Sequence, residues 1–159
     1  MPRYYRRRYT RVVKPKKKWA SNIKVWNNDT LNEGTAALLA TNSVQDTATP
    51  TPSILKVGNF KVSADIFFIS SDTLSGFNPV CIGYIVYVPE GWGTSALSFD
   101  DLIVKHPEWI MATKTSGSSL SSSSATGGRF AVDSMNVSTR LKRNLNSGDS
   151  IYFYIKANV

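Results

Sequence analysis

The sequence predicts an all-β fold, a β-sandwich or jelly roll, preceded by a basic arm that is disordered on its own. Of the 159 residues, 42% are hydrophobic and 11% are aromatic, which is enough to bury a core. Short runs of β-branched and aromatic residues alternate with turn-forming residues, and sustained helical periodicity is almost absent. Nine cations and no acid fall in residues 1–18, so we divide the chain into an arm, 1–18, and one domain, 19–159.

Seven runs in the domain have strand character. The run Val80–Val88, VCIGYIVYV, is apolar almost throughout, which is typical of a strand buried on both faces or nearly so. In the last run, Ile151, Phe153 and Ile155 line one face, and polar or amphipathic residues line the other. The predicted strands are 21–27, 54–70, 80–88, 109–115, 129–133, 136–141 and 150–157.

The segments between these runs carry loop and turn residues. Ser116–Gly128 is nearly all Ser, Gly, Thr and Ala, which predicts a flexible exposed loop. One short helix is predicted over Ser98–Val104, with Ser98 as its N-cap and two aspartates in the first turn.

The arm combines two chemistries that suit nucleic acid. Its guanidinium groups can fork onto phosphate oxygens, and its tyrosines can stack on exposed bases. Duplex DNA hides its base faces, so the mixture favours single strands; a solvated basic tail without a dedicated role is the alternative. The candidate nucleic-acid-binding residues are Arg3, Tyr4, Tyr5, Arg6, Arg7, Arg8, Tyr9, Arg11, Lys14, Lys16, Lys17 and Lys18.

The second half of the arm contains a compact lysine cluster. Lys14, Pro15, Lys16, Lys17 and Lys18 resemble the clusters that nuclear import receptors bind, so we predict a nuclear localisation signal and such a receptor as a partner. The same lysines can serve phosphate binding alone. The remaining 141 residues hold 10 basic and 11 acidic side chains, so the net charge of +8 belongs to the arm.

Two local patterns raise the question of an enzyme. Gly91–Ala96 formally matches G-x-G-x-x-A, but Trp92 occupies the would-be phosphate turn, so a turn at the strand exit is the better interpretation. The group Asp100, Asp101, His106 and Glu108 can in principle hold a metal or a carboxylate pair. Pro107 breaks the helical spacing there, and we expect a solvated loop or a subunit contact. We predict no catalytic residue, no metal and no cofactor.

The remaining composition limits the class of protein further. Cys81 is the single cysteine, which excludes an internal disulfide framework, and its apolar neighbours predict a buried, inert thiol. No apolar run approaches the roughly 18 residues of a membrane-spanning helix, so we expect no membrane insertion. No apolar stretch follows the charges of the N-terminus, so no secretory signal is predicted.

A Tyr/Arg-rich arm, a lysine cluster and one β-rich domain of this size resemble a known group of proteins. The arm Met1–Tyr9 and the segment Leu141–Ile151, with its LNSGD turn before the final strand, are similar to the corresponding parts of capsid proteins of small circular, Rep-encoding single-stranded DNA viruses, the circovirus-like viruses. These two pieces cover less than a quarter of the chain.

The resemblance implies an antiparallel eight-stranded jelly roll that self-assembles into an icosahedral T=1 shell of about 60 copies. It places the arm inward on packaged single-stranded DNA, and the protein in the virion and, during assembly, in the host nucleus; a host-cell attachment factor is a further partner. Arg140, Lys142 and Arg143 either add to the inner positive charge or form a solvated strand end. The alternative function is a non-viral or phage single-stranded nucleic-acid-binding module, an OB-like barrel with a basic tail.

Deletion of Met1–Lys18 tests the role of the arm. We expect the remaining domain to fold, because the arm supplies no core residues, whereas single-strand binding and its salt dependence largely disappear. Circular dichroism measures folding, and titration of a single-stranded oligonucleotide at several salt concentrations measures binding. Affinity retained at the level of the full chain would place the binding site elsewhere.

Overall fold

A computed structural model describes residues 21–26, 34–42, 54–70, 80–117, 122–123 and 129–158. These residues form seven strands, one α-helix and one 3-10 turn. In chain order they are β1 (Thr35–Thr41), β2 (Leu55–Ser70), β3 (Val80–Val88), α1 (Ala96–Lys105), the 3-10 turn Pro107–Trp109, β4 (Ile110–Gly117), β5 (Ser122–Ser123), β6 (Arg129–Leu145) and β7 (Ser150–Asn158).

The strands form two antiparallel sheets, which confirms the all-β prediction. The four-stranded sheet has the order β1-β7-β3-β4, and the three-stranded sheet has the order β2-β6-β5. The first strand therefore lies beside the last, β2 pairs with β6, and β3 pairs with β4. These three antiparallel pairs are nested in the sequence: β3 and β4 lie between β2 and β6, which in turn lie between β1 and β7.

The main core lies between the two sheets. It combines inward side chains of β2 and β6 with side chains from one face of β3, β4 and β7. Its buried members are Val62, Ile66, Cys81, Ile85, Met111, Met135, Val137, Leu145, Ile151, Phe153 and Ile155.

A second core lies on the opposite face of the four-stranded sheet, beneath α1. Phe99 and Leu102 of the helix are fully buried with Val86, Val88 and Tyr154 of the sheet. The Phe99 and Tyr154 rings stack with centroids 4.9 Å apart. Strands β3 and β7 therefore contribute to cores on both faces, as the continuous apolar run of β3 predicts, and the alternation predicted for residues 151–155 is confirmed.

The helix begins three residues earlier than predicted. Ser95, not Ser98, is the N-cap, and its side-chain oxygen accepts a hydrogen bond from the Ser98 backbone N–H at 3.2 Å. Trp92 contacts this first turn, where its indole N–H donates to the Ser98 carbonyl at 3.1 Å. The helix ends at Lys105 with His106 as its C-cap, and Pro107, which follows, cannot donate a hydrogen bond to continue it.

Four of the predicted strands match the structure within two residues at each end, and they correspond to β2, β3, β4 and β7. Two predicted strands, 129–133 and 136–141, are one continuous strand, β6, because Ser134 and Asn136 simply take outward positions on either side of buried Met135. Ser122–Ser123 form β5 inside the predicted Ser116–Gly128 loop, most of which lies outside the described residues.

The first predicted strand, 21–27, is wrong over residues 21–26, which belong to no sheet. The apolar side chains of this alternating run do not pack into a core, since Ile23 is 89% and Val25 is 83% exposed. Instead β1, which the sequence did not predict, pairs with β7. Its run TAALLAT is rich in Ala and Leu, which favour helices locally, so pairing with the distant last strand determines its conformation.

No helix in the described part of the chain has the length and apolar character needed to cross a membrane.

Substitution Phe99→Ala tests the second core. We expect a loss of about 3–5 kcal/mol in the free energy of unfolding, because the buried ring leaves a cavity against Tyr154. Urea denaturation measures the change. The matched control is Leu97→Ala on the same helix, where the side chain is 78% exposed, and its effect should stay within about 0.5 kcal/mol. Equal effects of the two substitutions would contradict the packing of α1 described above.

Candidate nucleic-acid interface

The predicted interface has two parts, and the structure describes one of them. All twelve candidate residues of the arm, between Arg3 and Lys18, and the whole Lys14–Lys18 signal lie outside the described residues. Their role in binding and nuclear import stays a prediction. The three candidate cations of the domain lie on β6, where the pairing with β2 defines their positions.

The structure separates these three cations onto two faces of the sheet. Val137 and Leu145 of β6 are buried in the main core, so Arg143, two residues before Leu145, points to the inward side. Arg140 and Lys142 take the outward positions and are exposed. Two of the three predicted residues therefore share a surface, and the third does not.

Arg143 is instead held by contacts at the end of the main core. One guanidinium nitrogen donates to the Glu108 carbonyl oxygen at 2.7 Å, and the guanidinium carbon lies 4.5 Å from the centre of the Tyr87 ring. The cation–π contact connects β6 to β3, and the charge-assisted hydrogen bond connects β6 to the 3-10 turn. Arg143 therefore stabilises the domain rather than extending an exposed charge.

Strand β2 adds two cations to the outward face. In the antiparallel register, Lys56 lies opposite Asn144 and Lys61 lies opposite Ser138, and both lysines are exposed. We call the four outward cations, Lys56, Lys61, Arg140 and Lys142, the basic strip. The sequence alone does not identify Lys56 and Lys61 as part of the basic strip, because only the pairing of β2 with β6 places them beside Arg140 and Lys142.

An irregularity in β2 brings Lys56 and Lys61 to one face. The two residues are five positions apart, so in a regular strand they would point to opposite faces. Asn59 has φ 58°, and the register shifts between Gly58 and Phe60. Val57 and Phe60 consequently both pack against the main core, and the alternation reverses between them.

Gly58 lets the side chain of Lys142 lie close against the sheet. Gly58 faces Lys142 directly in the register, and a Cβ atom at position 58 would approach the Lys142 Cγ to 2.7 Å. Any larger residue at position 58 would displace the aliphatic part of Lys142. The absence of a side chain there is thus part of the geometry of the basic strip.

Several acids of the described residues lie away from the basic strip. Asp100 and Asp101 lie on α1, which covers the far face of the four-stranded sheet, and Glu108 lies in the 3-10 turn that follows. On the outward face of the three-stranded sheet, Asp65 is an exposed acid at one end of the basic strip. Among the described residues, this outward face therefore carries four cations and one acid.

The four residues of the acidic and histidine cluster bind separate partners. Asp100 accepts hydrogen bonds from the Tyr154 hydroxyl at 3.1 Å and the Lys156 ammonium at 2.7 Å. Asp101 pairs with Lys105 at 3.0 Å in the next helical turn. His106 Nδ1 lies 3.0 Å from Glu108 Oε1, so only these two of the four meet.

The ring of His106 also has an aromatic environment. It stacks on Trp109 with centroids 3.9 Å apart, and Trp92 meets it edge-on. Across the described ranges, no group of three or more His, Cys, Asp or Glu side chains is placed to hold a metal ion.

The Gly91–Ala96 segment forms a turn after β3. Gly91 has φ 82°, and the Trp92 N–H donates to the Pro89 carbonyl oxygen at 3.3 Å. A dinucleotide site requires a parallel strand after the helix, whereas β4 runs antiparallel to β3. The geometry is therefore that of a strand exit leading into α1.

The thiol of Cys81 is free and buried, as predicted. Burial, with a smaller contribution from the charge of Asp133, raises the pKa of Cys81 to about 11. The thiol is therefore neutral at physiological pH and is a packing residue of the main core.

Asp149, in the LNSGD turn, organises the approach to β7. It is 4% exposed and its carboxylate accepts hydrogen bonds from the Tyr87 hydroxyl at 2.8 Å and from the backbone N–H groups of Glu90 and Asn146. Burial of the Tyr87 hydroxyl, together with its hydrogen bond to Asp149 and the negative charge of Asp149, raises the pKa of Tyr87 to about 12. The sequence marks the turn, but the bonds to Tyr87 and Glu90 depend on tertiary structure.

The LNSGD turn therefore has a structural role, which links the ends of β6, β7 and β3.

Comparison of the whole chain with models of protein families, with curated proteins and with solved structures finds no match.

Proposed function

We propose that this chain is a viral capsid protein, a jelly-roll subunit that self-assembles into a small icosahedral shell and packages circular single-stranded DNA through its basic arm. The observation that carries the proposal is the nested pairing of strands: β1 with β7, β2 with β6 and β3 with β4. The arm, the lysine cluster and the LNSGD turn add the resemblance to circovirus-like capsid proteins.

Nested antiparallel pairs are the pattern of a jelly roll. In that fold, four strand pairs of one long hairpin roll up into two facing sheets. Here the three outer pairs are present, and the chain between β3 and β4 forms α1 and the 3-10 turn where an innermost pair would lie. The proposal is accordingly a jelly roll with three of the four nested pairs of the eight-stranded type, in which α1 and the 3-10 turn take the place of the innermost pair along the chain.

The surface of the domain supports association between copies. Leu97 and Val104 are seven residues apart on α1, which is two helical turns, so both lie on one side of the helix. They are 78% and 80% exposed. Together with exposed Ile23 and Val25, they give a nearly neutral domain several apolar contacts that a neighbouring subunit can cover.

The arm gives this domain its nucleic-acid function. Its nine cations neutralise phosphates, largely without sequence preference, and its tyrosines stack on bases. A lysine cluster recognised by an import receptor would bring the subunit to the host nucleus for assembly, and the finished particle would carry it in the virion. The host-cell attachment factor would bind the outer surface.

A second candidate function is a monomeric single-stranded nucleic-acid-binding module with a basic tail. The basic strip is the observation that favours it, because such modules bind the strand along a positively charged face of their sheets. The exposed apolar residues of α1 favour the shell. The oligomeric state decides between the two candidates.

Electron microscopy and sedimentation of the purified full-length protein test the proposal. We expect closed particles of uniform diameter that sediment far faster than a 17.6 kDa monomer, since the apolar surfaces associate and the arms bind nucleic acid. Measurements at low and high salt, with and without single-stranded DNA, separate association from charge neutralisation. A monomer without particles under every condition would contradict the shell, and a monomer that binds single strands would support the module.

A double substitution provides the control for this measurement. Leu97→Ser with Val104→Ser removes apolar surface without touching either core, so the circular dichroism spectrum should be unchanged. We expect particles to form only at higher protein concentration. Assembly indistinguishable from the unmodified chain would show that this side of α1 is not a subunit contact.

A further inference from the structure

We propose that the basic strip is a second nucleic-acid contact, a fixed row of cations that binds backbone phosphates of the single-stranded DNA in addition to those bound by the arm. The inference rests on the proposed function for the identity of its ligand. The basic strip differs from the arm because two paired strands, β2 and β6, carry its four cations.

The register arranges the four cations in a row. Lys56 lies at the level of Asn144, Lys142 at the level of Gly58, and Lys61 at the level of Ser138. Arg140 falls between the last two, at the irregularity opposite Asn59. Successive members are one to two residues apart along the strands, so the row extends over roughly 17 Å at about 3.3 Å per residue.

An extended nucleic-acid strand also presents its charges in a row, one phosphate for each nucleotide. A line of cations on a flat sheet face can therefore contact several consecutive phosphates at once. The sheet holds the backbone of each cation in place, so binding orders only the side chains.

Three cations of the basic strip, Lys56, Lys61 and Arg140, keep their charge available for a ligand. None of the ion pairs among the described residues involves Lys56, Lys61 or Arg140. The other outward positions around it, Ser138 and Asn144, are polar and uncharged. Among the described residues, the outward face of β2 and β6 carries the four cations of the basic strip and one acid, Asp65, whereas Asp100 and Asp101 lie on α1, beyond the four-stranded sheet.

An exposed aromatic ring favours nucleic acid over a sulfated polysaccharide as the polyanion. Phe67 takes an outward position on β2 beyond Asp65, and its side chain is 69% exposed. A base can stack on such a ring, and a sugar sulfate offers no comparable flat face. Asp65 marks the point where phosphate contacts end.

A triple substitution tests the proposal in the full-length chain. In Lys56→Gln, Lys61→Gln and Arg140→Gln, three exposed cations are neutralised and Lys142, which packs on Gly58, is retained. Fluorescence anisotropy with an oligothymidylate at several NaCl concentrations gives the slope of log K against log salt. We expect the slope to fall in magnitude by about 2, because each phosphate contact on a single strand contributes about 0.7.

The matched control carries the same charge change elsewhere. Lys105→Gln, Lys114→Gln and Lys156→Gln neutralise three exposed lysines on α1 and the four-stranded sheet, and the slope should stay at the value of the unmodified chain. Equal slopes for both triple variants would overturn the proposal. It would also be overturned if the strip variant lost retention on heparin but kept the unmodified slope on DNA, which would assign the strip to a sulfated polysaccharide.

Electron microscopy of the same preparations separates this proposal from the proposed function. Particles formed by all variants, with a reduced slope only in the strip variant, support both. A reduced slope without particles from any preparation overturns the shell and supports the strip. Particles with equal slopes for both triple variants overturn the strip and support the shell.

Discussion

The double burial of β3 and β7 is the constraint on which the rest of the domain depends. Both strands lie in the middle of the four-stranded sheet, with the three-stranded sheet on one face and α1 on the other. A strand in this position must be apolar on both faces, and its backbone hydrogen bonds are shielded from water. The short helix forms because Phe99 and Leu102 bury themselves on this sheet, and the edge strand β1 is fixed by its pairing with β7.

A second local feature decides how the domain presents its charge. The positive φ of Asn59 reverses the alternation of β2, which turns Lys56 and Lys61 to the same face as Arg140 and Lys142. Among the described acids, Asp100 and Asp101 lie on α1, on the other side of the four-stranded sheet. The domain thus offers a basic face without a net positive charge, while the arm carries the excess charge of the chain. This division suits the proposed function, in which a subunit packs beside identical copies and contacts a polyanion.

Local patterns made part of this structure predictable. The apolar run of β3 identifies a doubly buried strand with its bounds, and the alternation of residues 151–155 identifies the inward face of β7. Strand β1 could not be predicted, because its Ala/Leu-rich run becomes a strand only through pairing with a segment more than a hundred residues away. The basic strip was half predicted: Arg140 and Lys142 stand out on β6, whereas Lys56 and Lys61 join them only through the register and the irregularity at Asn59. Arg143 looked equivalent to its neighbours in sequence, and only the contact with Tyr87 distinguishes it.

Native-state hydrogen exchange on the full-length protein tests the central constraint most directly. If the doubly covered strands hold the domain together, the amides of β3 and β7 exchange slowest, through global unfolding, and single-stranded DNA leaves their order unchanged. Amides of the edge strands β1 and β4 should exchange faster through local opening. Exchange of β3 and β7 at the rate of the edge strands, or slow exchange that appears only after DNA is added, would contradict a domain that folds around its own central strands.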